Sequence, residues 1–153
     1  MPRDHLKIPK KLKPVTLWVH PEGRVVGSLF LRLQSVNAPR EEEPLEVLNT
    51  VDRFLVMQRE APDELRIYNK SSVVRVEYPE DAGPATPDVE LLSCMVHLMD
   101  GSLIVGTIRR ALSPDRSRLF DYLNLQDEQF VKIHCEDGIV CVVNKAYIAC
   151  VVP

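Results

Sequence analysis

Apolar and polar residues alternate along this chain in short runs. Cys94, Val96 and Leu98 fall on one face of an extended segment and Met95, His97 and Met99 on the other, the period of a half-buried strand. Asp100-Gly101 follows, a pair that tolerates positive φ and favours a tight two-residue hairpin turn. Leu103 to Leu112 reads as the returning strand, with Gly106 marking a bulge or sharp bend inside it. The same pattern stands earlier: Val15, Leu17 and Val19, a turn at Pro21-Glu22-Gly23, then a strand carrying Gly27. Three further strands are predicted in each half, at Phe54–Arg59, Leu65–Tyr68 and Val73–Tyr78, and at Phe130–Cys135, Ile139–Val143 and Tyr147–Val152. Glu136-Asp137-Gly138 reads as another hairpin turn, and Asn144-Lys145-Ala146 as a single 3₁₀ turn.

A helical period replaces the alternation between the second and third strands. Leu119, Tyr122 and Leu123 share one helical face after Ser117, a capping residue, and Asn124 suits a helix C-terminus. In the first half Leu45, Val47 and Leu48 precede Asn49, and Glu41, Glu42 and Glu43 place negative charge at the helix N-terminus.

The two halves are copies. Leu48-Asn49, Asp52 and Phe54 recur as Leu123-Asn124, Asp127 and Phe130, and Asn69-Lys70 recurs as Asn144-Lys145. Five short strands with glycine-marked bends point to a small antiparallel barrel, because closing the sheet removes its exposed edges. The expected fold is all-β: two tandem five-stranded barrels, each with a short helix between its second and third strands. Residues 1–13 would be a flexible basic tail, 14–79 the first barrel, 80–89 an acidic proline-rich linker and 90–153 the second barrel. Units this small lie near the lower limit for an independent core and are expected to pack on each other.

Composition narrows the function classes. A 45% apolar and 27% charged chain is an ordinary globular one, and no apolar run approaches the roughly 20 residues that span a membrane. The polar, basic start is unlike a secretory leader, so a cytoplasmic location is expected. All four cysteines (Cys94, Cys135, Cys141 and Cys150) lie in the second half without a close pair. They read as reduced thiols acting as small hydrophobes, with no metal centre and no other cofactor expected. The net charge of −3 divides into +4 over residues 1–13, −3 in the linker and −2 in each repeat. A nucleic-acid binder presents a basic surface, and here only the tail is basic.

Several segments resemble known families. The run DGSLIVGTI resembles the first signature of Sm-like proteins, and NKAYIACVVP the closing signature of the Sm-like RNA chaperone Hfq. SRLFDYLN, with QFVKI and VNKAYI, is similar to a family of uncharacterised bacterial domains. The resemblance covers roughly residues 94–153 well and 15–79 more loosely, and it implies an Sm-like or SH3-like barrel plan. Lys145 matches a basic position of the closing motif, but Ala146-Tyr147 follows where that motif has a histidine. The helix also sits between strands two and three rather than before the first.

No catalytic constellation is found. His20 and His97 stand near Glu22 and Asp100 at the hairpin turns, where structural roles explain them, and no activated nucleophile or Gly-rich phosphate loop occurs. The expected function is a non-catalytic interaction or adaptor module that binds another protein through barrel edges or the helix-bearing loops, self-association included. The arginines Arg109, Arg110, Arg116 and Arg118 beside one helix, and Glu41, Glu42 and Glu43 beside the other, are the candidate contacts, with opposite charges that would attract. The alternative is an Sm-like RNA binder using Lys10, Lys11 and Lys13 of the tail, and Lys70, Asn144 and Lys145 of the last turns.

Overall fold

A computed structural model describes residues 9–80, 89–110 and 119–153. Over these residues the fold is all-β: ten antiparallel strands in one sheet, with two short helices. The first half supplies β1 (Lys10–Val19), β2 (Gly23–Arg32), α1 (Pro44–Leu48), β3 (Phe54–Arg59), β4 (Leu65–Asn69) and β5 (Val73–Pro79). The second supplies β6 (Glu90–Leu98), β7 (Leu103–Arg110), α2 (Leu119–Leu123), β8 (Phe130–His134), β9 (Ile139–Asn144) and β10 (Ile148–Val152). Both helices lie between the second and third strands of their half, as the periodicity predicts; Lys70–Ser72 and Lys145–Tyr147 form matching 3₁₀ turns, and Glu136–Gly138 forms another inside the β8–β9 hairpin.

The sheet order is β10-β6-β7-β8-β9-β5-β1-β2-β3-β4. Each half therefore repeats one order, fifth-first-second-third-fourth, and β5 of the first half pairs with β9 of the second. The sequence predicts two five-stranded barrels, closed or nearly closed; the described strands form one continuous sheet that does not close, ending in β10 and β4. The physical reason lies at the junction, where the edges of β5 and β9 satisfy each other instead of closing on their own halves. β1 begins at Lys10, which pairs with Arg32, so Lys10, Lys11 and Lys13 belong to a strand.

Two cores follow from this arrangement. Leu17, Leu29, Met57, Val73 and Val76 fill the first, together with Phe130, Val140 and Val142 from the other half. Val96, Ile108, Val131, Ile133, Cys141 and Val143 fill the second, together with Val74. Strand β9 is thus buried on both faces, which is why Ile139 to Val143 reads as a continuous apolar run, whereas β5 alternates, with Arg75 and Glu77 half-buried between Val74, Val76 and Tyr78. Full burial of one such side chain is worth about 1.5–3 kcal/mol, so the first core depends on residues of the second half.

Glycines act where the backbone is crowded or left-handed. A Cβ on Gly27 would run into the Gln58 carbonyl, and one on Gly106 into that of His134, so both copies need glycine where the second strand crosses the third. At the β6–β7 hairpin Leu98 N–H donates to Ser102 O at 2.9 Å and Gly101 N–H to Leu98 O at 3.0 Å. Of the predicted Asp100-Gly101 pair only Gly101 takes positive φ (88°), which makes a three-residue loop in place of the two-residue turn. Asp100 accepts from Ser102 N–H at 2.8 Å, and Glu22 pairs with Arg59 and Arg66, so both carboxylates beside the hairpin histidines serve the turns.

Candidate functional site

The junction between the halves and the two outer edges of the sheet are the same surfaces in different states. At the junction Arg75 faces Val143, Val76 faces Val142 and Tyr78 faces Val140. Val140 and Val142 are 1% and 0% exposed there. The corresponding residues of β4 are Leu65 and Ile67, which stand 61% and 70% exposed because no described strand pairs with that side of β4.

The ladder phase fixes which backbone groups these edges present. Arg59 N–H donates to Glu64 O at 2.9 Å and Lys70 N–H to Arg53 O at 2.8 Å. Hydrogen-bonded pairs alternate in an antiparallel ladder, so Arg66 and Tyr68 bond β3 while Leu65, Ile67 and Asn69 turn N–H and C=O outward. At the other end Leu98 bonds Ser102 across the β6–β7 hairpin, so Val96 also faces β7, while Met95 and His97 bond β10. Val151, opposite Val96, therefore points its N–H and C=O outward.

Asparagines close the junction on either side. Asn49 Nδ2 donates to Phe130 O at 3.1 Å, and Phe130 N–H donates to Asn49 Oδ1 at 2.8 Å. Asn144 is fully buried; its Nδ2 donates to Val73 O at 2.9 Å and Lys70 O at 3.3 Å, while its Oδ1 accepts from Gln129 and from Ala146 N–H. In the first copy Asn69 is exposed and caps its own 3₁₀ turn through Ser71 N–H at 3.0 Å. Asn144 makes the same local cap through Ala146 N–H and adds to it the bonds between the halves.

The last-turn lysines are held by the scaffold. Lys70 is buried, with Nζ donating to Thr50 Oγ1 at 2.7 Å, and burial lowers its pKa despite the Asp52 carboxylate nearby. Lys145 Nζ donates to Leu125 O at 2.9 Å, the same tie in the second copy. Lys11 pairs with Glu41, and Lys13 lies over the Tyr78 ring at 5.3 Å; Lys10 is exposed.

The candidate glutamates meet Lys11 and Lys13 at a cleft of about 380 Å³ lined also by Arg40 and Tyr78. Its charges neutralise one another. Arg40 pairs with Glu46, and Lys132 of the second half lies 3.8 Å from Glu43 and 2.7 Å from Glu80. Glu42 is buried and accepts from Arg32 N–H at 3.0 Å, while Glu43 and Glu46 form a capping box on α1. Burial would raise the Glu46 pKa, but hydrogen bonds from Ser35, Arg40 and Asn37 outweigh it and bring the carboxyl down to about 2. Burial pushes the Tyr78 hydroxyl well above its usual range, and no described residue hydrogen-bonds it.

Arg109 is half-buried on β7 and Arg110 ends that strand, whereas Arg116 and Arg118 lie outside the described residues. Across the halves, the Glu41–Glu43 segment meets Lys132. The cysteines divide: Cys94 and Cys141 are core residues whose thiols burial raises, Cys135 is half-buried at the β8–β9 turn, and Cys150 is exposed.

Sequence reasoning missed Leu65, Ile67 and Val151 as site residues. The signal was the match of Leu65 and Ile67 to Val140 and Val142: apolar residues kept at positions that only a neighbouring strand would bury. No family model, curated protein or solved structure matches the chain.

Proposed function

We propose that this protein is a non-catalytic interaction module, built from two small-barrel units of Sm-like or SH3-like plan, that binds another polypeptide by adding a strand to an open edge of its sheet. The observation that carries this reading is the β4 edge, where Leu65 and Ile67 stand exposed beside outward-facing backbone N–H and C=O groups. Such an edge takes up an extended polypeptide through main-chain hydrogen bonds, with alternate side chains supplying specificity. The β5–β9 junction is an example of that pairing inside the chain.

RNA binding has less support. Of its candidate residues, Lys70, Asn144 and Lys145 bond the protein's own backbone or side chains, and Lys11 and Lys13 are engaged by Glu41 and Tyr78. The test is capture of partners from the native cell with the wild-type chain and with a Leu65→Lys, Ile67→Lys double variant of unchanged melting temperature. Partners lost only with the double variant support edge binding, and equal capture by both overturns it. A purified wild-type protein carrying nucleic acid that salt releases would favour the RNA reading instead.

A further inference from the structure

We propose that the occupant of the open β4 edge is the β10 edge of a second copy of this chain, joined head to tail in the register of the internal β5–β9 junction. This inference rests on the edge-binding reading above and names its partner. The argument comes from the repeat itself. An offset of 75 residues carries Asn69-Lys70 onto Asn144-Lys145, and it also carries β5 onto β10 and β9 back onto β4. Applied to the junction, it turns Val76 opposite Val142 into Val151 opposite Ile67, and Arg75 opposite Val143 into Cys150 opposite Tyr68.

The backbone phase agrees without adjustment. Val151 and Ile67 both turn N–H and C=O outward, so they form a hydrogen-bonded pair in this register, as Val76 and Val142 do inside the chain. A one-residue slip would set outward groups against inward ones.

The side chains agree as well. In the first core Val73 and Val76 are fully buried, because β9 covers them. Their counterparts Ile148 and Val151 are only partly buried on the second core, which lacks that wall. Leu65 and Ile67 of a second copy would supply it, as Val140 and Val142 supply it to the first core. The asparagine contacts have counterparts too. Asn69 stands where Asn144 stands and would donate to the Lys145 and Ile148 carbonyls of the neighbour. Asn124 stands where Asn49 stands, and Phe54, 56% exposed, where Phe130 does. Asn124 Nδ2 now donates to Phe120 O at 2.8 Å and would turn from it to the Phe54 carbonyl.

A head-to-tail contact leaves one free edge of each kind after every addition, so association proceeds until a ring closes or a filament grows. It also makes a prediction that a symmetric contact does not. Ile67→Pro removes an outward N–H from β4 and no bond to β3; Val151→Pro removes an outward N–H from β10 and no bond to β6.

The test is sedimentation equilibrium of the full chain. Wild type is expected as an integer multiple, greater than one, of the 17.4 kDa chain. Each proline variant alone is expected as a single chain, and a one-to-one mixture of the two as a two-chain species joined at the one intact β4–β10 pair. Ile67→Lys and Val151→Lys repeat the experiment should either proline variant lose its wild-type circular dichroism. A monomeric wild type, variants that assemble like wild type, or a mixture that stays monomeric would each overturn the proposal. A monomeric wild type that still captures a foreign polypeptide through β4 would overturn the second-copy inference alone; with no edge-dependent capture, the edge-binding reading fails with it.

Discussion

Asn49 and Phe130 exchange two hydrogen bonds, at 3.1 and 2.8 Å, although 81 residues separate them. The asparagine ends helix α1 of the first half, and the phenylalanine begins β8 of the second and sits in the first half's core. A side-chain amide here takes the part of a backbone neighbour, satisfying both main-chain groups of Phe130 on the side of β8 where β7 pairs only at His134.

Removing it should be felt across the whole molecule. Asn49→Ala leaves a buried N–H and C=O without partners, at a cost of about 1–3 kcal/mol. Urea unfolding of wild type is expected to show one transition for both halves, and the variant a lower midpoint with that transition still single. Two separated transitions in wild type would contradict the shared cores.

The two copies of the last-turn asparagine should respond unequally. Asn144→Ala strips bonds from Val73, Lys70, Gln129 and Ala146 in a fully buried place, and should cost about 2–4 kcal/mol. Asn69→Ala loses only a surface cap on the Lys70–Ser72 turn and should cost about 0.5–1 kcal/mol in an edge-blocked, single-chain background. Chemical denaturation of the two variants, compared side by side, checks the ratio.

Alanine is expected to be poorly tolerated at Gly27 and Gly106. Its methyl group would meet the Gln58 or His134 carbonyl, which belongs to backbone and cannot turn aside. Overpacking of this kind costs about 1–3 kcal/mol. Gly23, whose added Cβ would meet no atom nearby, has a different problem, a φ of 95°. Thermal melting of Gly27→Ala, Gly106→Ala and Gly23→Asn separates the two causes, because asparagine accepts the left-handed region and adds no crowding.

Acid should loosen the α1 corner through Glu46. Its pKa falls from an ordinary 4.5 to about 2 on folding, so the unfolded chain binds the proton more readily. The carboxylate therefore stabilises the fold above about pH 4.5, and that contribution is lost as pH falls toward 2. Between pH 5 and pH 2 the unfolding midpoint of wild type should drop more steeply than that of Glu46→Gln. Parallel slopes would remove Glu46 as the cause.

Much of the fold was legible in the chain. The alternation at Cys94, Val96 and Leu98 located β6, the Leu45, Val47 and Leu48 spacing located α1, and Gly27 and Gly106 marked the bends. The pairing of β5 with β9 was not legible, because one local pattern suits an edge that closes on its own half and an edge that meets another. The same holds for the site. Charge drew attention to Glu41, Glu42 and Glu43, yet they were spoken for by Lys11, by Arg32 N–H and by Lys132 and the α1 cap. Leu65 and Ile67 looked like ordinary strand residues until their exposure could be set beside that of Val140 and Val142.

Phe130, Val140 and Val142 complete a core that otherwise belongs to the first half. Duplication of a gene segment usually leaves two spare parts, either of which can drift or be lost. Here the copies have become creditors of each other. A recombination that excised the second would take away a wall of the first, and one that shuffled it elsewhere would carry Val140 and Val142 bare into a new host. Inheritance of the pair as one indivisible cassette follows from three side chains.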